Sequence, residues 1–122
     1  MGLCKFAHPP LGWLKVPQTF LKKIPNDRLL RNVCQGCDQI HYENPKIIVG
    51  SLPVLNNSVL LCKRAIQPSI GMWTIPSGFM ELGESLEDGA RREALEEANL
   101  TFEIIKLYGN YSIPEIGQVL FV

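Results

Sequence analysis

Residues 78–100, GFMELGESLEDGARREALEEANL, constrain this chain more than any other stretch. Ser85 is a good helix N-cap, and Asp88 stands three residues on, as in a capping box. A helix is expected from Leu86 to about Ala98. Leu86, Ala90, Ala94 and Ala98 then form a stripe of mostly small apolar side chains at i+4 steps, which suits close packing on a sheet. Asn99 can end the helix in the left-handed conformation. On the same helix Glu93, Glu96 and Glu97 fall at i, i+3 and i+4, so three carboxylates share one edge. Like charges at that spacing cost a helix roughly 0.2–0.5 kcal/mol per i,i+4 pair. Hard divalent cations take carboxylate oxygens and keep waters and substrate phosphates as their other ligands. The edge therefore reads as the protein half of a metal–phosphate site.

Strand-like segments precede and follow this helix. Lys46–Leu52 is apolar and β-branched. Asn56-Asn57 is a turn, with Ser58–Arg64 as the second arm of a hairpin. Trp73–Pro76 is a short extended piece, and 77–84 reads as a loop in which Gly78 and Gly83 supply unusual backbone angles. Phe102–Tyr108 and Gln118–Val122 read as strands. Residues 1–30 show no clear period beyond a short piece near Thr19–Lys23, and Asn44-Pro45 marks a turn. Such an order of elements predicts one α/β domain, its mixed sheet lying between helices. The expected division is an irregular extension over 1–43 and a main domain over 44–122.

Charge and hydropathy narrow the function classes. Lys plus Arg equals Asp plus Glu, 12 against 12. That balance argues against a nucleic-acid partner recruited by bulk electrostatics. No apolar run is long enough to span a bilayer, so no membrane role is expected. Lys15, His8 and several prolines interrupt any signal-peptide core, which points to the cytoplasm. The acid-poor, weakly basic start leaves an organelle transit segment as the alternative. The cysteines, Cys4, Cys34, Cys37 and Cys62, are expected as reduced thiols.

The block Gly78-x5-Glu84-x7-Arg92-Glu93-Ala94-Leu95-Glu96-Glu97-Ala98-Asn99-Leu100 resembles the Nudix box, G-x5-E-x7-R-E-U-x-E-E-x-G-U. Only the second glycine departs, replaced by Asn99. The likeness extends to Asn44-Pro45-Lys46, Leu60–Arg64, Gln67-Pro68, Gly71–Pro76, Ile113-Pro114 and Gly117-Gln118. These resemble the zinc-ribbon Nudix hydrolases, above all the ADP-ribose/FAD pyrophosphatase branch. Such proteins continue past the position of Val122 with more strand and a helix, so the domain is expected to be C-terminally short. NADH pyrophosphatases share the ribbon but carry a Ser-Gln-Pro-Trp-type motif, which Ser112–Gln118 lacks.

The resemblance implies a metal-dependent hydrolase of a nucleoside diphosphate linked to another group. ADP-ribose is the first expected substrate and FAD the second, each yielding AMP and the other phosphorylated half. Mg²⁺ or Mn²⁺ would be held by Glu93, Glu96, Glu97 and, by family analogy, the backbone carbonyl of Ser77. Glu96 or Glu97 would take the proton from the attacking water. Arg92 is always charged and cannot be the base. It is expected to pair with Glu84 or Glu96 and orient the acidic edge. Charge runs are usually solvated helix faces. Gly78, Glu84 and Arg92 at the box spacing set that reading aside. Gly78 and Arg64 are placed near the substrate phosphates. Trp73 is read as core packing, with stacking on an adenine or flavin ring as the second reading.

Cys34-x2-Cys37 supplies half of a tetrahedral zinc site and matches the second pair of the family's ribbon. The first pair is missing. Cys4-x3-His8 could complete a Cys₃His set, and His41 is a further candidate. The spacing departs from the family pattern, so thiols without zinc are the preferred reading. The competing function is a catalytically weak module that binds a nucleotide or a protein. Homodimerisation is an open expectation.

Overall fold

The computed structural model describes residues 18–122. Cys4 and His8 lie outside them. The chain divides into two compact units, Met1–Asn44 and Pro45–Val122. The described part of the first is a three-stranded antiparallel sheet of β1 (Thr19–Lys23), β2 (Leu30–Cys34) and β3 (Ile40–His41), with β2 in the middle. Val33 and Cys34 are its fully buried side chains. The guanidinium of Arg31 donates to Asp27 at 2.8 Å and lies 5.3 Å from the Tyr42 ring centre. The piece expected near Thr19–Lys23 is thus one strand of a ladder.

The second unit begins with β4 (Lys46–Gly50), whose apolar, β-branched composition suits a central strand. Next come a small hairpin of β5 (Val54–Leu55) and β6 (Ser58–Val59), then β7 (Cys62–Lys63), β8 (Trp73–Thr74) and β9 (Ser77–Phe79). Helix α1 (Leu86–Ala98), β10 (Asn110–Ile113), a 3-10 turn (Pro114–Ile116) and β11 (Gln118–Phe121) complete it. The main sheet runs β10-β11-β4-β9. Only β11 and β4 are parallel, so the sheet is mixed.

Helix α1 packs on β4 and β9. Ser85 Oγ accepts from the Asp88 amide at 3.1 Å, as the capping box predicts. Asn99 ends the helix at φ 49°, ψ 38°, donating from its amide to the Leu95 carbonyl. Ala90 and Ala94 are buried, and a Cβ on Gly89 would come within 2.8 Å of Val49 Cγ2. Small residues let the helix axis approach the sheet there, and Val49 is fully buried beneath it. Among the described residues α1 is the only α-helix. The arrangement is the expected α/β one, a mixed sheet with this helix packed on it.

Three strand expectations are corrected. Ser58–Arg64 is not one arm: Ser58–Val59 pairs back on Val54–Leu55 across Asn56-Asn57, while Cys62–Lys63 pairs with Trp73–Thr74. Residues 77–79 form a strand rather than a loop. Phe102–Tyr108 contains no strand despite its composition; at its end the Tyr108 amide donates to the Val122 carbonyl at 2.8 Å, and the β10–β11 ladder begins at Asn110. No helix among the described residues is long and apolar enough to cross a membrane.

Candidate active site

Strand β9 and helix α1 build the site between them. Arg92 lies two turns into the helix, and its fork reaches four oxygen-bearing groups. Nε donates to Glu84 Oε1, Nη2 to Glu84 Oε2 at 3.2 Å and to the Phe79 carbonyl at 3.0 Å. Nη1 donates to Glu93 Oε1 at 2.7 Å and to Glu96 Oε2 at 3.2 Å. A planar guanidinium with five donors suits such a junction, and a lysine would not. Arg92 was expected to pair with Glu84 or Glu96; it holds both, and Glu93 as well. Its own pKa is raised further by the hydrogen bonds to Glu84 and Glu93. Glu84 is lowered, first by its hydrogen bond from Arg92 and then by the Glu81 amide, which donates to it at 3.0 Å.

Two further carboxylates meet the same short strand. Glu93 is buried, and a Cβ built on Gly78 would overlap its carboxyl carbon and both oxygens. Glu97 Oε2 accepts from the Ser77 amide at 3.1 Å. The two are one helical turn apart and flank two consecutive residues of β9. Gly78 was expected to supply an unusual backbone angle. Gly83 does so, at φ 86°, whereas Gly78 is not among the positive-φ residues. Its missing side chain makes room for Glu93.

Glu97 is raised, chiefly because partial withdrawal from water penalises its charge; the Ser77 amide and the charge of Arg64 oppose that, while Glu93 and Glu96 add to it. Cys62 is raised by burial and then by the charge of Glu97. Cys62 and Arg64 flank Lys63 on this arm, and each interacts with the charge of Glu97. Arg64 is tethered, Nε donating to the Pro68 carbonyl at 2.7 Å.

Trp73 is placed elsewhere. It stands opposite Lys63, whose Nζ lies 5.8 Å from its ring centre. At 63% exposure it is not a core residue, which corrects the packing expectation. Two-residue strands offer it no facing layer.

The chemistry of the acidic edge fits a hard cation: carboxylate oxygens, one glutamate aimed into space that Gly78 leaves clear, and a second raised by its surroundings. Among the described residues no three His, Cys, Asp or Glu side chains converge as a ready metal cluster. Arg92 stands among the carboxylates instead. In the first unit Cys34 is buried and Cys37 exposed, and Cys34, Cys37 and Cys62 form no disulfide. No third zinc ligand joins the first two among the described residues.

The groups that reading the sequence missed are mainly backbone. The Phe79 carbonyl and the Ser77 and Glu81 amides carry no side-chain signature, and only the strand at 77–79 would have revealed them. Cys62 was legible as a strand residue but not as a neighbour of Glu97.

Comparison with known proteins gives one family. Residues 44–119 match the NUDIX domain. An ADP-ribose pyrophosphatase of Methanocaldococcus jannaschii is 36% identical over 74 residues, covering 61% of this chain and 44% of that protein. An NAD-capped RNA hydrolase NudC of Vibrio atlanticus is 34% identical over 122 residues, covering 97% of this chain and 44% of that protein. The crystal structure of a NUDIX hydrolase from Nitrosomonas europaea is 52% identical at a TM-score of 0.82, covering 86% of this chain and 60% of that one. The chain thus spans less than two thirds of each relative's length. With the box glutamates, Arg92 and Gly78 assembled on one helix–strand pair, and the match over residues 44–119, the chain belongs to the Nudix family.

Proposed function

We propose that the chain hydrolyses the diphosphate bridge of a nucleoside diphosphate linked to another group, with residues 44–122 as the hydrolase domain and 1–43 as an extension. ADP-ribose is the first substrate and FAD the second, each giving AMP and the other phosphorylated half. The observation that carries this reading is the Arg92 junction, which fixes Glu84, Glu93 and Glu96 beside the strand that also holds Glu97. The M. jannaschii relative's name supports ADP-ribose.

Glu93, Glu96, Glu97 and the Ser77 carbonyl would hold Mg²⁺ or Mn²⁺, which neutralises phosphate charge and acidifies bound water when present. Glu97 is the proton acceptor, because partial withdrawal from water raises its carboxylate above the ordinary glutamate value, which favours a general base. Its acceptor bond from the Ser77 amide fixes one oxygen and leaves the other to receive the proton. Arg64, tethered at Pro68, offers its terminal nitrogens to a phosphate oxygen. Gly78 leaves room for the Glu93 carboxylate beside the strand. Trp73, exposed beside Lys63, is the candidate to stack on the substrate's ring.

A second reading rests on the same junction. Because Arg92 already occupies carboxylate oxygens and no metal-ready group of three acids stands among the described residues, the chain would bind a nucleotide with little turnover. Incubation of the purified chain with ADP-ribose and Mg²⁺ or Mn²⁺ separates the two. Release of AMP that disappears in Glu97→Gln supports hydrolysis. Binding by calorimetry without AMP supports the module, and neither binding nor release rejects both.

A further inference from the structure

Between Glu43 and Glu81 the sequence contains no acidic residue, yet Lys46, Lys63 and Arg64 lie there. Lys63 belongs to the β7–β8 hairpin, and Arg64 follows it directly. Lys63 stands opposite Trp73, and its ammonium lies 5.8 Å from the centre of the indole ring. Among the described residues Lys63 enters no ion pair. Trp73 beside it is 63% exposed. The hairpin thus presents a flat apolar surface next to a positive charge that no described carboxylate neutralises.

The same hairpin is tied to the acidic edge. The Arg64 amide donates to the Met72 carbonyl at 2.9 Å, and the charge of Arg64 acts on Glu97. Trp73 comes four residues before Ser77, whose amide donates to Glu97. Four residues of extended chain span at most about 14 Å. A ring that one ribose joins to a diphosphate at the glutamates is therefore within reach of the indole.

We propose that Lys63 determines specificity: it admits substrates whose second half carries a neutral ring bearing carbonyl groups and turns away those whose ring is cationic. This rests on the hydrolase reading and on its placement of Trp73 against the substrate's ring. An indole face attracts cations, so Trp73 alone would accept a pyridinium. Lys63 already takes up that attraction, and a second positive charge on the same indole meets its ammonium. A like charge at an otherwise attractive surface is how a site rejects the wrong partner. A neutral ring stacks without that penalty, and its carbonyl oxygens can accept from an ammonium with three donors. Isoalloxazine and dihydronicotinamide rings meet the requirement, and oxidised nicotinamide does not.

NADH and NAD⁺ form the test pair, because they differ by one hydride and by the charge of the ring. Each kcat/KM, measured with Mg²⁺, is expressed relative to ADP-ribose, which has no second ring, so a general loss of activity cancels. The parent chain should favour NADH by about tenfold, between the water and protein limits for a single charge contact. Lys63→Met should bring the two within about twofold of each other, mainly by raising NAD⁺, a gain that a damaged fold would not give. Trp73→Leu should lower both relative to ADP-ribose. A parent chain that treats the two alike overturns the proposal, as does a preference for NADH that survives Lys63→Met. Turnover of ADP-ribose in either case leaves the hydrolase reading standing. Failure to cleave ADP-ribose sinks that reading instead, and the selection is then read from calorimetric dissociation constants for the two dinucleotides. Tighter binding of NADH by about tenfold, abolished in Lys63→Met, supports the proposal, and equal or absent binding overturns it.

Discussion

Gly78 and Glu93 share one space: the volume that a side chain at 78 would fill is taken by the Glu93 carboxylate. Helix α1 cannot retreat to make room, because Ala90, Ala94 and Gly89 seat it against β4 and β9. Gly78→Ala must therefore displace Glu93 or push β9 outward. Overpacking of this kind costs about 1–3 kcal/mol. Urea unfolding should show that loss, and AMP release should fall with it. Unchanged stability and turnover would mean that Glu93 moves freely and has no fixed place in the site.

Arg92 balances three carboxylates, and Glu93 among them has a side chain only 11% exposed. Arg92→Met removes every donor and leaves that carboxylate without its counter-charge. Stripping a hydrogen-bond partner from a buried charged group costs about 1–3 kcal/mol or more. Arg92→Lys should recover part of the stability, since it restores charge, but little of the activity, since one ammonium cannot span the same oxygens. Thermal melts and AMP release on the two variants check this, and full activity in Arg92→Lys would reject the orienting role.

The helix and its caps were legible because their signals are local: Ser85, Asp88 and Asn99 act within a turn of themselves. The carboxylate edge was legible for the same reason, since helical spacing alone aligns Glu93, Glu96 and Glu97. What failed was long-range pairing. Ser58–Arg64 looks like one strand, yet its halves pair with different partners. Phe102–Tyr108 has the composition of a strand but joins no ladder among the described residues, and composition reports propensity rather than partnership. Gly78 was assigned to conformation when its reason is the carboxylate of a residue fifteen positions away. Trp73 reads inward because large aromatics usually are, but in the structure it is largely exposed, with the Lys63 ammonium over its ring.

Glu84 provides a pH test of the junction. Its pKa is lowered in the folded state by the Arg92 hydrogen bond. The unfolded chain then binds more protons over the acid range, so stability rises with pH there. The contribution is present above the ordinary glutamate value and is lost as pH falls through the lowered folded value. Glu84→Gln should melt below the parent at pH 7, and the gap should close toward pH 3. A gap independent of pH would assign Glu84 to packing rather than to charge.

Glu97 carries the opposite sign, and that separates catalysis from stability at one residue. Its folded pKa lies above the ordinary value, mainly through partial desolvation. In that interval the folded chain binds more protons than the unfolded one, so stability falls as pH rises through it. Where it is charged, the carboxylate is a burden on the fold. Glu97→Gln removes the charge while leaving an oxygen able to accept from the Ser77 amide. Its melting temperature at pH 8 should equal or exceed the parent's, and the difference should shrink as pH falls and the parent's Glu97 takes up its proton. Loss of a general base costs roughly 10²–10⁴ in rate, so AMP release should fall by that factor in the same preparation. A variant both less stable and less active would show that the carboxylate supports the fold. One more stable yet fully active would pass the proton-accepting role to Glu96, the other carboxylate within reach of the helix edge.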